Sequence, residues 1–161
     1  GVSLADAAAS LASLTAGDKR GEMLEYEGAT VINDCYNSNP KALDSMVRSL
    51  AQMPAARRIV VAGEMLELGP SGDAMHRACG RLMGNYGVDF VLGVRGLARL
   101  IVEGAASANV EGAFVATPEA AGEWLRSNVK PGDLVLLKAS RGVRLERALE
   151  VWMGATTKSS Q

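Results

Sequence analysis

The chain has 161 residues, of which 48% are hydrophobic and 22% charged, with a formal net charge of −1. These values are typical of one folded globular domain and argue against non-specific nucleic-acid or anionic-membrane binding. No apolar run approaches the roughly 18 residues of a membrane-spanning helix, and the N-terminus has no signal-peptide pattern. The one histidine and two cysteines, Cys35 and Cys79, fit no metal-ligand spacing. We therefore predict no zinc site and a reducing, cytoplasmic compartment.

The first 21 residues differ from the rest of the chain. Ser3 can cap a helix with apolar positions up to Leu14, and Gly17 follows as a stop signal. Residues 18–21, Asp-Lys-Arg-Gly, are predicted to form a polar linker. Residues 23–27 and 29–34 flank Gly28 and predict a hairpin that enters a sheet.

Beyond the hairpin, strand and helix patterns alternate. Five short, mostly apolar runs without polar alternation are predicted to be strands buried on both faces: residues 30–34, 58–62, 89–93, 112–116 and 133–138. Between and after them lie helical patterns, carried by Leu43, Met46, Val47 and Leu50; Met75, Cys79, Leu82, Met83 and Tyr86; Leu97, Leu100 and Ile101; Ala121, Trp124 and Leu125; and Leu145, Ala148, Leu149 and Trp152. The alternation predicts an α/β fold, a mainly parallel sheet with helices on both faces. The polar residues 156–161 have no apolar anchor, and we expect a disordered tail there.

The loop that follows the first long strand is the most informative segment. Residues 33–40 read Asn-Asp-Cys-Tyr-Asn-Ser-Asn-Pro, so a strand end runs directly into a capped helix start. Ligands of open α/β sheets bind at this edge, and Asp34 is placed to accept hydrogen bonds from ribose hydroxyls. The alternative is a capped turn in which backbone amides satisfy Asp34.

This loop resembles the Asp-Asp-x-Tyr-Asn-Ala-Asn-Pro loop of the Mur ligase family, specifically of the ligases that join D-alanyl-D-alanine to a UDP-N-acetylmuramoyl-tripeptide. Residues 61–69 resemble a Leu-Gly-Asp-Met-x-Glu-Leu-Gly segment, with His76 at the expected spacing. Residues 137–141 with Glu146 resemble a Val-Lys-Gly-Ser-Arg…Glu ending, and Arg20 lies 14 residues before Asp34. The resemblance covers roughly residues 3–153. It departs at Asn33 and Glu64, where the family has aspartate, and at Ala139, where it has glycine.

The resemblance implies three domains: one for the UDP-sugar, a central ATPase, and a C-terminal dinucleotide-binding-like domain that closes over ATP. Residues 1–20 would be the end of the central domain plus a linker, residues 21–154 the C-terminal domain, and residues 155–161 the tail. The chain has no Gly-Lys pair and hence no phosphate-binding P-loop. The resemblance therefore also implies that Mg²⁺ is held mainly by the central domain, that the acceptor carboxylate is activated as an acyl phosphate, and that this chain alone is inactive.

The family also implies roles for individual residues. Arg20 would contact the ATP ribose or phosphates, Asp34 the ribose hydroxyls and Asn37 the nucleotide, while Tyr36 could stack on adenine or pack on the domain. A second, weaker group would face the cleft where the dipeptide amine is delivered, namely Glu64, Glu67, Lys138 and Ser140.

Several of these residues have structural alternatives. Arg20 could be a solvated linker charge, Glu64 and Glu67 a solvated turn, and Ser140 with Arg141 a cap for the last helix. His76, one position off an apolar stripe, is expected to be a structural residue on a helix surface. Lys138 ends a buried strand and needs either a partner or the cleft.

Two rival functions remain open at the level of sequence. One is another amide ligase of the superfamily, such as a folylpolyglutamate synthase or an earlier Mur ligase, although those relatives usually have histidine where Asn37 stands. The other is a non-catalytic nucleotide-binding module, which the absence of a G-x-G-x-x-G sequence disfavours.

Overall fold

The computed structural model describes residues 22–35 and 38–154. In this part of the chain the strands are β1 (Glu22–Tyr26), β2 (Ala29–Asp34), β3 (Arg57–Gly63), β4 (Phe90–Val94), β5 (Glu111–Val115) and β6 (Asp133–Lys138). The helices are α1 (Pro40–Leu50), α2 (Gly72–Met83), α3 (Ala98–Ser107), α4 (Pro118–Asn128) and α5 (Glu146–Met153). The predicted segments 1–20 and 155–161 lie outside the described residues.

The described strands form one sheet in the order β1-β2-β6-β3-β4-β5. β1 and β2 pair antiparallel through a turn with Gly28 at φ 85°, and every other neighbouring pair is parallel. The hairpin and the four later strands are therefore confirmed, with boundaries within one residue of the predicted ones. The reason is that fully buried parallel strands need apolar side chains on both faces, which produces runs that are easy to locate.

Successive strand residues point to opposite faces, and each face is covered by its own helices. On one face, Val60 and Leu136 belong to a core formed with α1, α2 and α3. On the other, Val61 and Leu137 pack with α4 and α5. The predicted mainly parallel α/β fold with helices on both faces is confirmed.

The helix α2 departs from the predicted pattern. Met75 and Leu82, assigned to its apolar face, are each 38% exposed, whereas Gly80 and His76 are buried. The helix turns Gly80 toward α3, where an added Cβ would lie 2.0 Å from the carbonyl oxygen of Ile101. Close packing between the backbones of α2 and α3 therefore determines which face of α2 is buried. A prediction based on the positions of large apolar residues cannot detect this contact.

Polar side chains cap the N-termini of two helices. The Asn39 side chain accepts a hydrogen bond from the backbone nitrogen of Ala42 at 2.8 Å, and Pro40 occupies the first turn of α1. The capped helix start that the sequence predicted is therefore confirmed, with Asn39 as the cap. Thr117 caps α4 in the same way through Ala120.

Candidate functional site

The carboxyl ends of the parallel strands gather the polar residues that the sequence singled out. Asp34 ends β2, Lys138 ends β6, and Glu64 follows directly on the end of β3. Asp34 is in register with Lys138, and Lys138 with Ala62 of β3. These contacts confirm that all three lie at one edge of the sheet, which is where open α/β sheets bind ligands.

Asp34 and Lys138 form a buried ion pair. The Lys138 Nζ donates to the Asp34 Oδ2 at 2.6 Å, and the two side chains are only 1% and 3% exposed, respectively. Asp34, on the neighbouring strand, is therefore a partner of the kind that a buried lysine needs. The other carboxylate oxygen, Asp34 Oδ1, is buried and has no hydrogen-bond partner within the described residues. A buried acceptor without a donor is uncommon, so this oxygen is a site where a ligand hydroxyl or amide could donate.

Cys35 follows Asp34 and is buried, with its thiol 4.0 Å from the carbonyl oxygen of Leu137. Burial, with further contributions from the Glu146 and Asp34 carboxylates, raises the pKa of this thiol well above its usual range. Burial is the dominant cause of this increase in pKa. Cys35 stays a neutral thiol and is not an activated nucleophile.

Glu64 joins the ends of β3 and β4. Its Oε2 accepts a hydrogen bond from the backbone nitrogen of Leu97 at 3.1 Å, and its Oε1 lies 3.7 Å from the Nε of Arg95. Gly96 packs so closely that an added Cβ would stand 2.3 Å from the Glu64 carboxylate. Because Arg95 and Leu97 already engage it, Glu64 is a connector between two loops. Sequence reasoning missed Arg95, which follows β4 in the same way that Glu64 follows β3.

The loop after Glu64 is held from two sides. His76 Nε2 accepts a hydrogen bond from the backbone nitrogen of Met65 at 3.0 Å, and its Nδ1 lies 2.7 Å from the carbonyl oxygen of Gly72. The Ser140 Oγ accepts from the backbone nitrogen of Leu66 at 2.8 Å. The sequence placed His76 on the helix surface, but it is 0% exposed. That placement was wrong because α2 buries the side that carries His76 and Gly80, with His76 against the Met65 backbone and Gly80 against α3.

Beyond these anchors lies an open cleft, which we call the Glu67–Arg141 cleft, of about 160 Å³. Its lining consists of Leu66, Glu67, Ser140, Arg141 and Gly142. Glu67 and Arg141 are both exposed, and neither side chain has a hydrogen bond or ion pair within the described residues. The sequence-based idea that Ser140 and Arg141 cap the last helix is wrong, because Leu145 precedes α5 and no side chain caps it.

One departure from the family pattern has a local explanation. Ala139 is fully buried, and a Cβ added to Gly63 would stand 2.4 Å from the Ala139 Cβ. The methyl group that this chain places after Lys138 therefore fits because β3 ends in glycine.

Three proposed nucleotide contacts, Arg20, Tyr36 and Asn37, lie outside the described residues. Across residues 22–35 and 38–154, no group of three or more His, Cys, Asp or Glu side chains could hold a metal ion. In the same ranges, no helix has the length and apolarity that crossing a membrane requires.

The sequence is similar to a known family model and to several known enzymes. Residues 19–141 match the family model described as Mur ligase, glutamate ligase domain. The chain is 29% identical over 154 residues to the UDP-N-acetylmuramoyl-tripeptide–D-alanyl-D-alanine ligase of Bacillus subtilis, covering 93% of this chain and 34% of that protein. It is 36% identical over 141 residues to the enzyme of the same name from Mycobacterium tuberculosis, covering 74% of this chain and 28% of that protein.

Solved structures give the same relationship. The MurF ligase of Thermotoga maritima in complex with ADP superimposes with a TM-score of 0.71 at 29% identity, covering 87% of this chain and 31% of that one. A MurF structure from Acinetobacter baumannii has a TM-score of 0.73 at 25% identity, covering 83% and 30%. The chain spans about a third of the length of the relatives it matches. With the family model matching most of its length, the chain belongs to the Mur ligase family, as a C-terminal, glutamate ligase-type domain.

Proposed function

We propose that this chain is the C-terminal domain of a cytoplasmic, ATP-dependent ligase that joins D-alanyl-D-alanine to UDP-N-acetylmuramoyl-tripeptide during peptidoglycan precursor synthesis. The observation that carries the proposal is the match of this domain to enzymes of that name in Bacillus subtilis and Mycobacterium tuberculosis. In this proposal, residues 1–20 are the end of a central ATPase domain with its linker, and residues 21–154 are the C-terminal domain. Its partners are then the N-terminal and central domains of the same enzyme.

The sheet edge is suited to the nucleotide side of such an active site. The unpaired Asp34 Oδ1 is an acceptor that a ribose hydroxyl can satisfy, and Lys138 holds the carboxylate in place through its other oxygen. Asp34 is 2% exposed, so direct contact requires that the strand end be uncovered when nucleotide binds. Arg20, Tyr36 and Asn37 are proposed to complete this side. When bound, ATP supplies the phosphoryl group that activates the acceptor carboxylate.

Mg²⁺ belongs to the proposal only through the central domain. The described residues of this chain do not fit a divalent-cation site, because they offer no cluster of three or more ligating side chains. We therefore assign the ion mainly to the central domain, where it would neutralise charge during phosphoryl transfer. This division implies that the 161-residue chain alone does not catalyse and binds ATP no more tightly than about millimolar, or roughly −4 kcal/mol.

The activity is tested with the full-length ligase that carries this domain. We expect phosphate release with ATP, the UDP-linked tripeptide and D-alanyl-D-alanine, and a product heavier by one dipeptide residue in mass spectrometry. L-glutamate and L-alanine serve as competing amines, because other amide ligases of the family would prefer a single amino acid. Product formed only with a single amino acid, or none with any amine, would contradict the proposal.

The nucleotide assignment is tested with Asp34→Asn in the same enzyme. We expect a roughly ten- to hundredfold lower kcat/KM for ATP, since hydrogen bonds to charged groups contribute about 1.5–3 kcal/mol. The matched control is Asp133→Asn, which also weakens the ion pair of a buried aspartate, here with the half-buried Arg57 at 2.7 Å, but at the opposite edge of the sheet. Equal loss in both variants would mean that Asp34 affects only stability.

A further inference from the structure

We propose that Arg141 determines specificity for the amine substrate at the Glu67–Arg141 cleft. It holds the carboxylate of the dipeptide, which binds there as a zwitterion with Glu67 facing its amino end. This inference rests on the proposed function, because it takes D-alanyl-D-alanine as the amine substrate. It adds Arg141, which lines the cleft, to the residues that the family resemblance assigned to the amine substrate.

The first observation is how charges are distributed at this edge. Glu64 is engaged by Arg95 and Leu97, and Lys138 by Asp34. In contrast, Glu67 and Arg141 are exposed and make no hydrogen bond or ion pair within the described residues. Glu67 and Arg141 are thus an acid and a base that remain available for a ligand, and both line the same cleft.

The second observation is that hydrogen bonds hold the loop that carries Glu67, whereas the Glu67 carboxylate itself has no such bond within the described residues. Met65 and Leu66 donate their backbone N–H groups to His76 and Ser140, at 3.0 and 2.8 Å. Glu67 itself adopts φ 65°, a left-handed conformation that disfavours side chains other than glycine. Such a conformation persists only where the surroundings impose it, and it is concentrated at ligand sites. Here the anchors on both preceding residues impose it and direct Glu67 to the cleft.

The third observation concerns the size and chemistry of the cleft. The cleft volume of about 160 Å³ is smaller than the roughly 300–1,000 Å³ of pockets for larger ligands, and it therefore suits a ligand as small as a dipeptide. A guanidinium presents two parallel N–H groups that match a carboxylate, and this geometry distinguishes arginine from lysine. The half-buried Leu66 adds an apolar wall, and Gly142 beside it leaves room, because an added Cβ would stand 2.9 Å from Leu66 Cδ1. A small zwitterion with methyl side chains complements all of these groups.

The test compares two substrates in the full-length ligase: D-alanyl-D-alanine and D-alanyl-D-alaninamide, which has a neutral C-terminus. We expect the wild-type enzyme to prefer the acid over the amide in kcat/KM by about ten- to a hundredfold. Arg141→Gln should reduce this preference to less than about threefold by raising KM for the acid, with KM for ATP unchanged. Arg141→Lys should recover part of it, since a point charge without the guanidinium fork remains.

The matched control is Arg144→Gln, because Arg144 is exposed and close in sequence but does not line the cleft. It should retain the wild-type preference, which would exclude a general effect of positive charge. A second arm uses D-lactyl-D-alanine, with a hydroxyl in place of the amine, as a competitive inhibitor. Glu67→Gln should raise KM for the dipeptide and leave the inhibition constant of this analogue within about twofold.

The outcomes separate the two proposals. An active wild-type enzyme whose Arg141→Gln variant still prefers the acid as strongly as wild type overturns the assignment of Arg141 and leaves the proposed function standing. Equal loss of preference in the Arg141→Gln and Arg144→Gln variants also overturns it. A wild-type enzyme that makes no product with D-alanyl-D-alanine overturns the proposed function, and this inference with it.

Discussion

Two acid–base pairs lie near the same sheet edge, and they are used in opposite ways. Asp34 and Lys138 are buried and 2.6 Å apart, whereas Glu67 and Arg141 are exposed and engage no described residue. Lys138 and Arg141 are only three residues apart in the chain. The first pair ends two adjacent strands, where the register brings the side chains together, and the second lies on the loops that follow the strands.

The contrast shows how one sheet edge can contain a stable buried ion pair and still leave other charged groups available to a ligand. A buried charge must be paired, since the loss of solvation is large. Charges on anchored loops stay hydrated and keep their donors and acceptors available for a ligand. Breaking the first pair should therefore lower stability, in addition to the effect on ATP use expected at Asp34. Substitutions at the second pair should affect mainly use of the amine substrate, with the loop anchors between these limits.

The largest effect on stability is expected for Lys138→Met. It leaves the Asp34 carboxylate buried without its partner, and breaking a buried pair in this way costs about 3–5 kcal/mol. Urea denaturation of the 161-residue chain, followed by circular dichroism, measures the free energy of unfolding. The double variant Asp34→Asn/Lys138→Met should recover much of the loss because no buried charge remains. A single-variant loss below about 1 kcal/mol would show that the pair behaves like a surface one.

A smaller loss of about 1–3 kcal/mol is expected for His76→Leu. The substitution keeps an apolar volume in the core but leaves the buried Met65 N–H without an acceptor. The same denaturation experiment measures it, and amide hydrogen exchange at Met65 should become faster. Unchanged exchange at Met65 would mean that His76 does not hold the loop.

Ser140→Ala should have a still smaller effect, about 0.5–1.5 kcal/mol, because it removes one hydrogen bond to the half-buried Leu66. In the full-length ligase it should raise KM for the dipeptide more than KM for ATP, since it loosens the loop that carries Glu67. Ser127→Ala, at an exposed position in α4, is the control. An increase in KM for ATP alone would place Ser140 with the nucleotide instead.

The smallest effect on stability is expected for Arg141→Gln. Its side chain makes no hydrogen bond or ion pair with the described residues, so the free energy of unfolding should change by less than about 0.5 kcal/mol. Denaturation curves of the variant and the wild-type chain should overlap. A loss above about 1 kcal/mol would show that Arg141 stabilises the fold, and the contrast between the two pairs would fail.

The strands were predictable almost to the residue, whereas the buried face of α2 was not. Runs such as residues 58–62 are apolar on both faces, a pattern that few other structures produce. In α2, the contact with α3 depends on Gly80 and Gly104, where an added Cβ would lie 2.0 and 2.1 Å from backbone oxygens of the facing helix. A glycine that allows two helices to approach closely adds nothing to the hydrophobic pattern, so the helix that packs against it can be identified only from the structure.

For the candidate site, the sequence located the edge but not the use of each residue. Asp34, Glu64 and Lys138 were identifiable because each ends or follows an apolar strand. That Glu64 is engaged by Arg95, from a loop 31 residues later, follows from the pairing of β3 with β4. Arg141 was passed over because an arginine before a helix is usually a cap or a surface charge.

The sequence by itself determined the alternation of strands and helices, the edge where polar residues collect and the resemblance to the Mur ligases, because local periodicity and short motifs encode all three. Only the tertiary structure decided which charges are paired. Asp34 meets Lys138 across 104 residues, and Ser140 meets Leu66 across 74, through strand order and register. Those distances arise from packing between distant segments, so which acid and base remain free for a ligand becomes visible only in the folded chain.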